Sequence, residues 1–437
     1  MVEEASRIVR SDGRRRVEEL TIEYHTVRAE IECDVLIDGK DVGTVGLRFL
    51  DEHSPLSQAE AELLTASFGV VLGQMCLARN IRLPFHMSSR LYTPLSSLVG
   101  LLYDSHCLTQ QISLLAGTLN APRRDAPAAA LQGSPTKCVL LWSGGKDALA
   151  SLNVLRNNGL SVHGVHFSAN FSSISAERMA ADDLSSYFAM PLEHVQIEWD
   201  LVREIGNLYA THYDRFPLQN TIPHGRDLIL MAASAIIARR VGAQFVCAGY
   251  EYDLWSKQVH RGTRTVWRHD IQSERGGHLL NELLRAAIGV QFFSPIAGVT
   301  EFEILRTLLA HSDIWSHLHS CFWGSWCGMC SKCVRYAITE RVFGVRSIPF
   351  AVDPLVLPNV ALELSLNSIN DSDTPFWEEL TYGLFELYHK GYFNDAEALR
   401  RRETWYIGVK DELYTRLTSV FDDDLAPPGF SYALGML

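Results

Sequence analysis

One short stretch, LLWSGGKDALASL (residues 140–152), constrains the fold more than any other part of the chain. Cys138 to Trp142 is a continuous apolar run, which reads as a buried strand, and Lys146 to Asn157 reads as a helix stopped by Asn158-Gly159. Between them Ser143-Gly144-Gly145 must turn. Successive glycines let backbone come close to a ligand, and a helix start offers unpaired N–H groups with a partial positive charge. The combination is an anion cradle. Ser143 can donate to a phosphate oxygen and Lys146 supplies charge. Asp147 would repel a phosphate unless a cation lay between, so it is assigned to Mg²⁺ or to capping the helix. Both Lys146 and Asp147 are expected to face the cradle, not the core. Gly-Gly and Asp also serve in ordinary turns and caps, but the position of this string between a strand and a helix favours the ligand. Neither GxxxxGK(S/T) nor GxGxxG is present, which excludes a Walker loop and a dinucleotide fingerprint.

The same alternation continues downstream. Val162 to Phe167, Val195 to Trp199 and Phe245 to Gly249 are further candidate strands, and a helix from about Gly225 to Val241 is apolar nearly all round. Strands alternating with helices imply an α/β fold with a doubly wound parallel sheet, whose ligands bind beyond the carboxyl ends of the strands. Phe167 and Gly249, at two such ends, are therefore candidates for the nucleotide site with Ser143, Gly144, Gly145, Lys146 and Asp147. Four regions are expected: an N-terminal α+β domain (1–120), a Pro- and Ala-rich linker (121–136), the α/β domain (137–344) and a mainly helical C-terminal extension (345–437). In the first, residues 17–50 read as antiparallel β with a turn at Asp38-Gly39-Lys40, and 57–115 as helical.

No apolar run approaches a membrane span and the opening residues are charged, so a cytoplasmic protein is expected. The net charge of -12 gives no global attraction for a nucleic-acid backbone, and bulk nucleic-acid binding is not expected. Small anions held by backbone amides are unaffected by net charge.

Four of the nine cysteines crowd together as Cys321, Cys327, Cys330 and Cys333. Four thiolates at that spacing suit a closed, structural Zn²⁺ site, an iron–sulfur cluster being the competing use. The nearby aromatic residues Trp315, Phe322, Trp323 and Trp326 read as local core more than as a stacking platform. Cys247 reads as a packed thiol.

SGGKDA resembles the SGGxDS pyrophosphate motif of PP-loop ATP pyrophosphatases, with Ala148 replacing the last serine. A PP-loop followed by Cys-x(n)-CGxCxxC resembles the QueC-like, 7-cyano-7-deazaguanine synthase-like enzymes. IPHGRDLILMAASAIIARRVGAQFVCAGYEYD, ending in Gly249 and Asp253, and FFSPIAGVTEFEIL agree with that pattern, although the family's PGRN is here His224-Gly225-Arg226-Asp227. The resemblance covers about residues 137–340. It implies an adenine nucleotide alpha hydrolase-like (HUP) domain with a C-terminal zinc knuckle, using ATP and Mg²⁺ to adenylate a small carboxylic acid of the deazaguanine type before transfer to an amine. Arg226 would then hold a phosphate or the substrate carboxylate, or else pair with Asp227. His224 and His260 are weaker proton-transfer candidates.

Enlarged QueC-like proteins occur in bacterial antiphage operons of the CBASS and Qat kinds, where the acceptor is the N-terminus of a partner protein. The resemblance extends to an ATP-dependent epimerase acting on the glutamate of a UDP-muropeptide. An inactive nucleotide-binding scaffold is the third reading. The ends of the chain are expected to recruit the acceptor, or else the strands near 17–50 simply to extend the sheet or build a dimer interface.

Overall fold

The structure, a computed structural model, describes residues 17–51, 54–109, 115–125, 129–169, 174–198, 224–261, 264–311, 313–321, 326–356, 358–370, 376–421 and 423–434. Strands β1 (Glu19–Val27), β2 (Glu30–Ile37) and β3 (Lys40–Phe49) form an antiparallel meander. Alternation decides which face is buried: Ile31, Cys33, Val35 and Ile37 of β2 all point into the core. Asp38 and Gly39 between β2 and β3 both have positive φ, 50° and 77°, the turn whose twist matches that of the strands.

Helices α1 (Gln58–Cys76) and α2 (Ser89–Thr109) follow. Two short strands separate the two helices in the stretch read as helical: β4 (Asn80–Arg82), and β5 (Met87–Ser88), which pairs with β7 (Arg123–Arg124). β4 pairs with β1 on one side and β6 (Thr118–Asn120) on the other.

The central part alternates β8 (Ser134–Leu141), α3 (Lys146–Asn157), β9 (Ser161–Ala169), α4 (Ile174–Tyr187), β10 (Leu192–Glu198), α5 (Asp227–Arg240) and β11 (Ala243–Cys247). After a short helix α6 (Tyr252–Trp255) and a hairpin of β12 (Gln258–Arg261) and β13 (Arg264–Trp267) come α7 (Glu274–Ile288) and β14 (Gln291–Phe293). β8 starts inside the stretch read as a linker. Among the described residues ten strands form one sheet in the order β14-β11-β8-β9-β10-β3-β2-β1-β4-β6. The first five are mutually parallel, the doubly wound centre. Its strand order reverses between β8 and β11, the crevice where such sheets bind ligands.

β10 pairs antiparallel with β3, so the N-terminal α+β block continues the central sheet and shares one hydrophobic core with it. Extension of the sheet, one of the roles considered for residues 17–50, is thus a property of the fold. The apolar helix α5 is buried as expected, packed against β8, β11, α1 and α7.

Helices α8 (Glu301–Leu308), α9 (Ser331–Val342), α10 (Val360–Ser368), α11 (Trp377–His389) and α12 (Glu397–Thr418) complete the chain. A second core joins Phe302, Val334 and Ile338 to Leu362, Leu384, Phe385 and Tyr406. Beyond α12 the chain returns to the sheet. Val420 bridges Val299, Phe421 donates its N–H to Gly298 O at 2.8 Å and stacks on Tyr252 at 4.0 Å, and Ser431 exchanges hydrogen bonds with the Asn158 side chain. No helix among the described residues is long and apolar enough to cross a membrane.

Candidate functional site

The loop Ser143–Gly145 leaves the carboxyl end of β8 beside the end of β11, at the reversal of strand order. Gly144 has φ +71°, and a Cβ there would lie 2.8 Å from the backbone of Ala180 and Ala181 on α4. Gly249, just past β11, would place a Cβ 2.8 Å from the carbonyl oxygen of Asp147. Its lack of a side chain lets the first turn of α3 come against β11. Phe167 is half-buried near the carboxyl end of β9. The nucleotide-site residues expected from sequence thus lie along one edge of the parallel sheet.

Lys146 and Asp147 part company. Asp147 keeps 32% of its side chain exposed at the loop, whereas the Lys146 side chain is 2% exposed and turned inward. This corrects the expectation that both face the cradle. Lys146 Nζ pairs with Asp147 and lies 3.2 Å from Glu301 Oε1. Glu301 is held from its other side by Arg335, at 3.0 Å. Burial opposes the charge on Lys146, but Asp147 and Glu301 raise its pKa well above the ordinary lysine value. Burial likewise opposes charge on Glu301, yet Arg335 and Lys146 hold it below the usual carboxylate range. Buried ions persist only when paired in this way.

Around this pair lie further acids that burial pushes the other way. Glu251 is raised well above the ordinary range by burial and by Asp147, and its Oε2 has no hydrogen-bond partner among the described residues. Burial raises Asp253 to about 6, and its Oδ2 accepts the Glu301 backbone N–H at 2.7 Å. Burial and Glu301 raise Glu379. Nothing in the local sequence marked these residues as a group, apart from Asp253 in the family pattern. Glu301 looks like an ordinary acid in a helix's first turn, after the N-cap Thr300.

Further charged groups on the knuckle and on α4 lie within electrostatic reach of Asp147 or of Arg226. Lys332, depressed by burial, senses Asp147 and Lys146. Glu177, raised by burial, senses Arg226 and Lys332. Arg226 is 43% exposed and sits 3.6 Å from Asp227 Oδ1, so the ion pair read as its alternative role is present and leaves the guanidinium accessible. The turn carrying it packs on the N-terminal block: a Cβ on Gly225 would lie 2.2 Å from Gln74 Oε1 of α1. Of His224 only the backbone is described, in a 3₁₀ turn, and His260 bonds Thr265 across its hairpin at 3.2 Å. Cys247 is fully buried, its thiol pushed well up by burial, which fits packing and not catalysis. An open cavity of about 460 Å³ bordered by Arg90, Glu282 and Arg285 shares no residue with this site.

The ligand atoms of Cys321, Cys327, Cys330 and Cys333 all lie within 4.8 Å of one another, and the pairs Cys321–Cys330 and Cys327–Cys333 are 3.9 Å apart. A tetrahedron of thiolates about 2.3 Å from zinc has edges of about 3.8 Å, whereas a disulfide needs about 2.05 Å. The donor set therefore fits a metal. Trp315 and Trp326 are buried and meet edge to face at 5.7 Å, with Tyr336 and Phe350 around Trp326. They are core, as expected; Phe322 and Trp323 lie outside the described residues.

Residues 281–353 match the model of a family of unknown function (DUF6395). Two 7-cyano-7-deazaguanine synthases align with this chain. That of Chlorobium luteolum is 21% identical over 234 residues, covering 50% of this chain and 98% of the relative. That of Pseudoalteromonas translucida is 23% identical over 213 residues, covering 45% and 90%. A solved structure described as a predicted subunit of tRNA methyltransferase from Methanocaldococcus jannaschii is 15% identical, with a TM-score of 0.26, covering 39% of this chain and 74% of that one. Over about half of its length the chain is thus similar to 7-cyano-7-deazaguanine synthases.

Proposed function

We propose that the protein uses ATP to adenylate a small carboxylic acid of the deazaguanine type and passes the acyl group to an amine. The observation that carries the reading is the Ser143–Gly145 loop at the strand-order reversal, with a half-exposed carboxylate, Asp147, at its mouth. The relatives' name, 7-cyano-7-deazaguanine synthase, suggests the deazaguanine class.

The substrate carboxylate attacks the α-phosphorus, the bond to the bridging α,β-oxygen breaks, and pyrophosphate leaves from a mixed anhydride. An amine then attacks the acyl carbon, AMP departs and the amine loses a proton. Backbone N–H groups at the start of α3 would stabilise the charge growing on pyrophosphate, where fixed donors act most strongly. Bound Mg²⁺ would offset phosphate charge; one or two carboxylates plus phosphate oxygens suffice for it, and Asp147 would be such a ligand. Arg226, accessible and opposite Glu177, would hold the acid's carboxylate. Lys146 acts from below: paired with Glu301, it fixes Asp147. Zinc in the knuckle would stabilise the fold and take no part in bond making. The finer reading is that the acceptor is the N-terminus of a partner protein in antiphage defence, since an α-amine of pKa near 8 is an adequate nucleophile at cellular pH.

Incubation with ATP, Mg²⁺, 7-carboxy-7-deazaguanine and either ammonia or the partner is expected to release AMP and pyrophosphate. Asp147→Asn should lower that release by about 100-fold while the protein stays folded, because Glu301 still pairs with the buried Lys146. Equal AMP release by the variant would remove Asp147 from the site.

A further inference from the structure

We propose that Ser320, at the entrance to the four-cysteine knuckle, caps the phosphate loop from outside and offers its hydroxyl proton to the pyrophosphate. This role rests on the ATP reading above.

The first residue before α3 is Gly145, with extended backbone (φ −92°, ψ 171°) and no side chain to satisfy the helix's first N–H groups. Helices usually draw that partner from the cap residue itself. Here it comes from 174 positions away: the Lys146 N–H donates to Ser320 Oγ at 3.1 Å. The preceding residue holds the other side of the turn, the His319 N–H donating to Gly144 O at 3.0 Å. The loop is therefore pinned at two points by consecutive residues of the knuckle's lead-in.

A hydroxyl that accepts from an N–H still has its own proton to donate. Ser320 is 7% exposed, so little water competes for that proton. An anion docking at the start of α3 meets it beside the helix amides. Ala148, in the first turn of α3, supplies no hydroxyl. Ser320 is bonded directly to Cys321, whose sulfur lies 3.9 Å from that of Cys330. Any metal that gathers these thiolates also fixes where Ser320 stands. The knuckle thereby positions the phosphate loop without touching substrate through its metal.

Thr and Val have nearly the same shape and differ in the hydroxyl, so Ser320→Thr and Ser320→Val isolate it; Ser320→Ala is the smaller control. Three quantities are measured on the full chain: binding of inorganic pyrophosphate with Mg²⁺ by titration calorimetry, metal content, and hydrogen exchange at the Lys146 amide. Ser320→Ala and Ser320→Val are expected to bind pyrophosphate about tenfold more weakly, the loss of one hydrogen bond to a charged group. Their metal content should be unchanged and their Lys146 amide should exchange faster, with Ser320→Thr close to the parent in all three. Parental affinity in both hydroxyl-free variants overturns the role of Ser320 and leaves the ATP site standing. A parent protein that binds no pyrophosphate overturns the ATP reading and this role together.

Discussion

Removing the metal from the knuckle, or replacing Cys333 with Ser, is expected to unfold much of the C-terminal part. Structural zinc in small domains contributes about 10–16 kcal/mol of binding free energy that is also folding free energy. A whole domain commonly has only about 5–15 kcal/mol in reserve. Cys333 is fully buried on α9, beside Val334, Ala337 and Ile338, which anchor the second core. Loss of the thiolates therefore releases both the knuckle and the packing of α9 against α11. One zinc per chain is expected by elemental analysis, with a large fall in melting temperature in Cys333→Ser. A metal-free protein with an unchanged melting temperature would contradict the site. A coloured iron centre would change the metal and keep the stability argument.

Lys146→Ala carries the second large effect, on folding and not only on turnover. Its ammonium is one of two cations that satisfy Glu301, a carboxylate 1% exposed. Breaking a buried pair by removing one partner costs about 3–5 kcal/mol, because the remaining charge stays buried. The lower end is expected here, since Arg335 still holds Glu301 and Asp147 can reach water. Urea unfolding should show a lower midpoint with an unchanged slope. Adding Glu301→Gln to Lys146→Met should cost less than the two single changes together, as for neighbouring groups in one network. An unaltered midpoint in Lys146→Ala would falsify the buried pairing.

The contrast between Lys146 and Asp147 marks where sequence reading stops. Motif and periodicity placed the β8 end, the loop and α3 because each is written locally: an apolar run, two glycines, an amphipathic helix, Asn158-Gly159. The Asp38-Gly39 hairpin was legible for the same reason, and the four cysteines through their spacing. The side-chain direction of Lys146 was not, because it depends on Glu301 and Arg335, acid and base on two distant helices with unremarkable neighbours. Pairing of β10 with β3, and the three-residue strands β4, β6 and β14, escaped for a related reason. Such short strands have no period to read, and edge pairing is chosen by the tertiary fold. Ser320 was hidden by adjacency: beside a cysteine cluster it reads as part of the knuckle, while its partner is the amide of Lys146.

The return of the chain after α12 gives the C-terminal helices a mechanical property that a list of contacts does not convey. They are bolted at both ends, by α9 where they leave the centre and by the Val299–Val420 bridge where they come back. A segment held at one end can swing like a door; held at two it transmits load as a beam does. The returning bolt lands beside Thr300, whose hydroxyl donates to Leu417 O, and the next residue is Glu301, the counter-ion of Lys146. A force applied to α10, α11 or α12 is thus carried within one peptide unit of the charge pair beneath the phosphate loop.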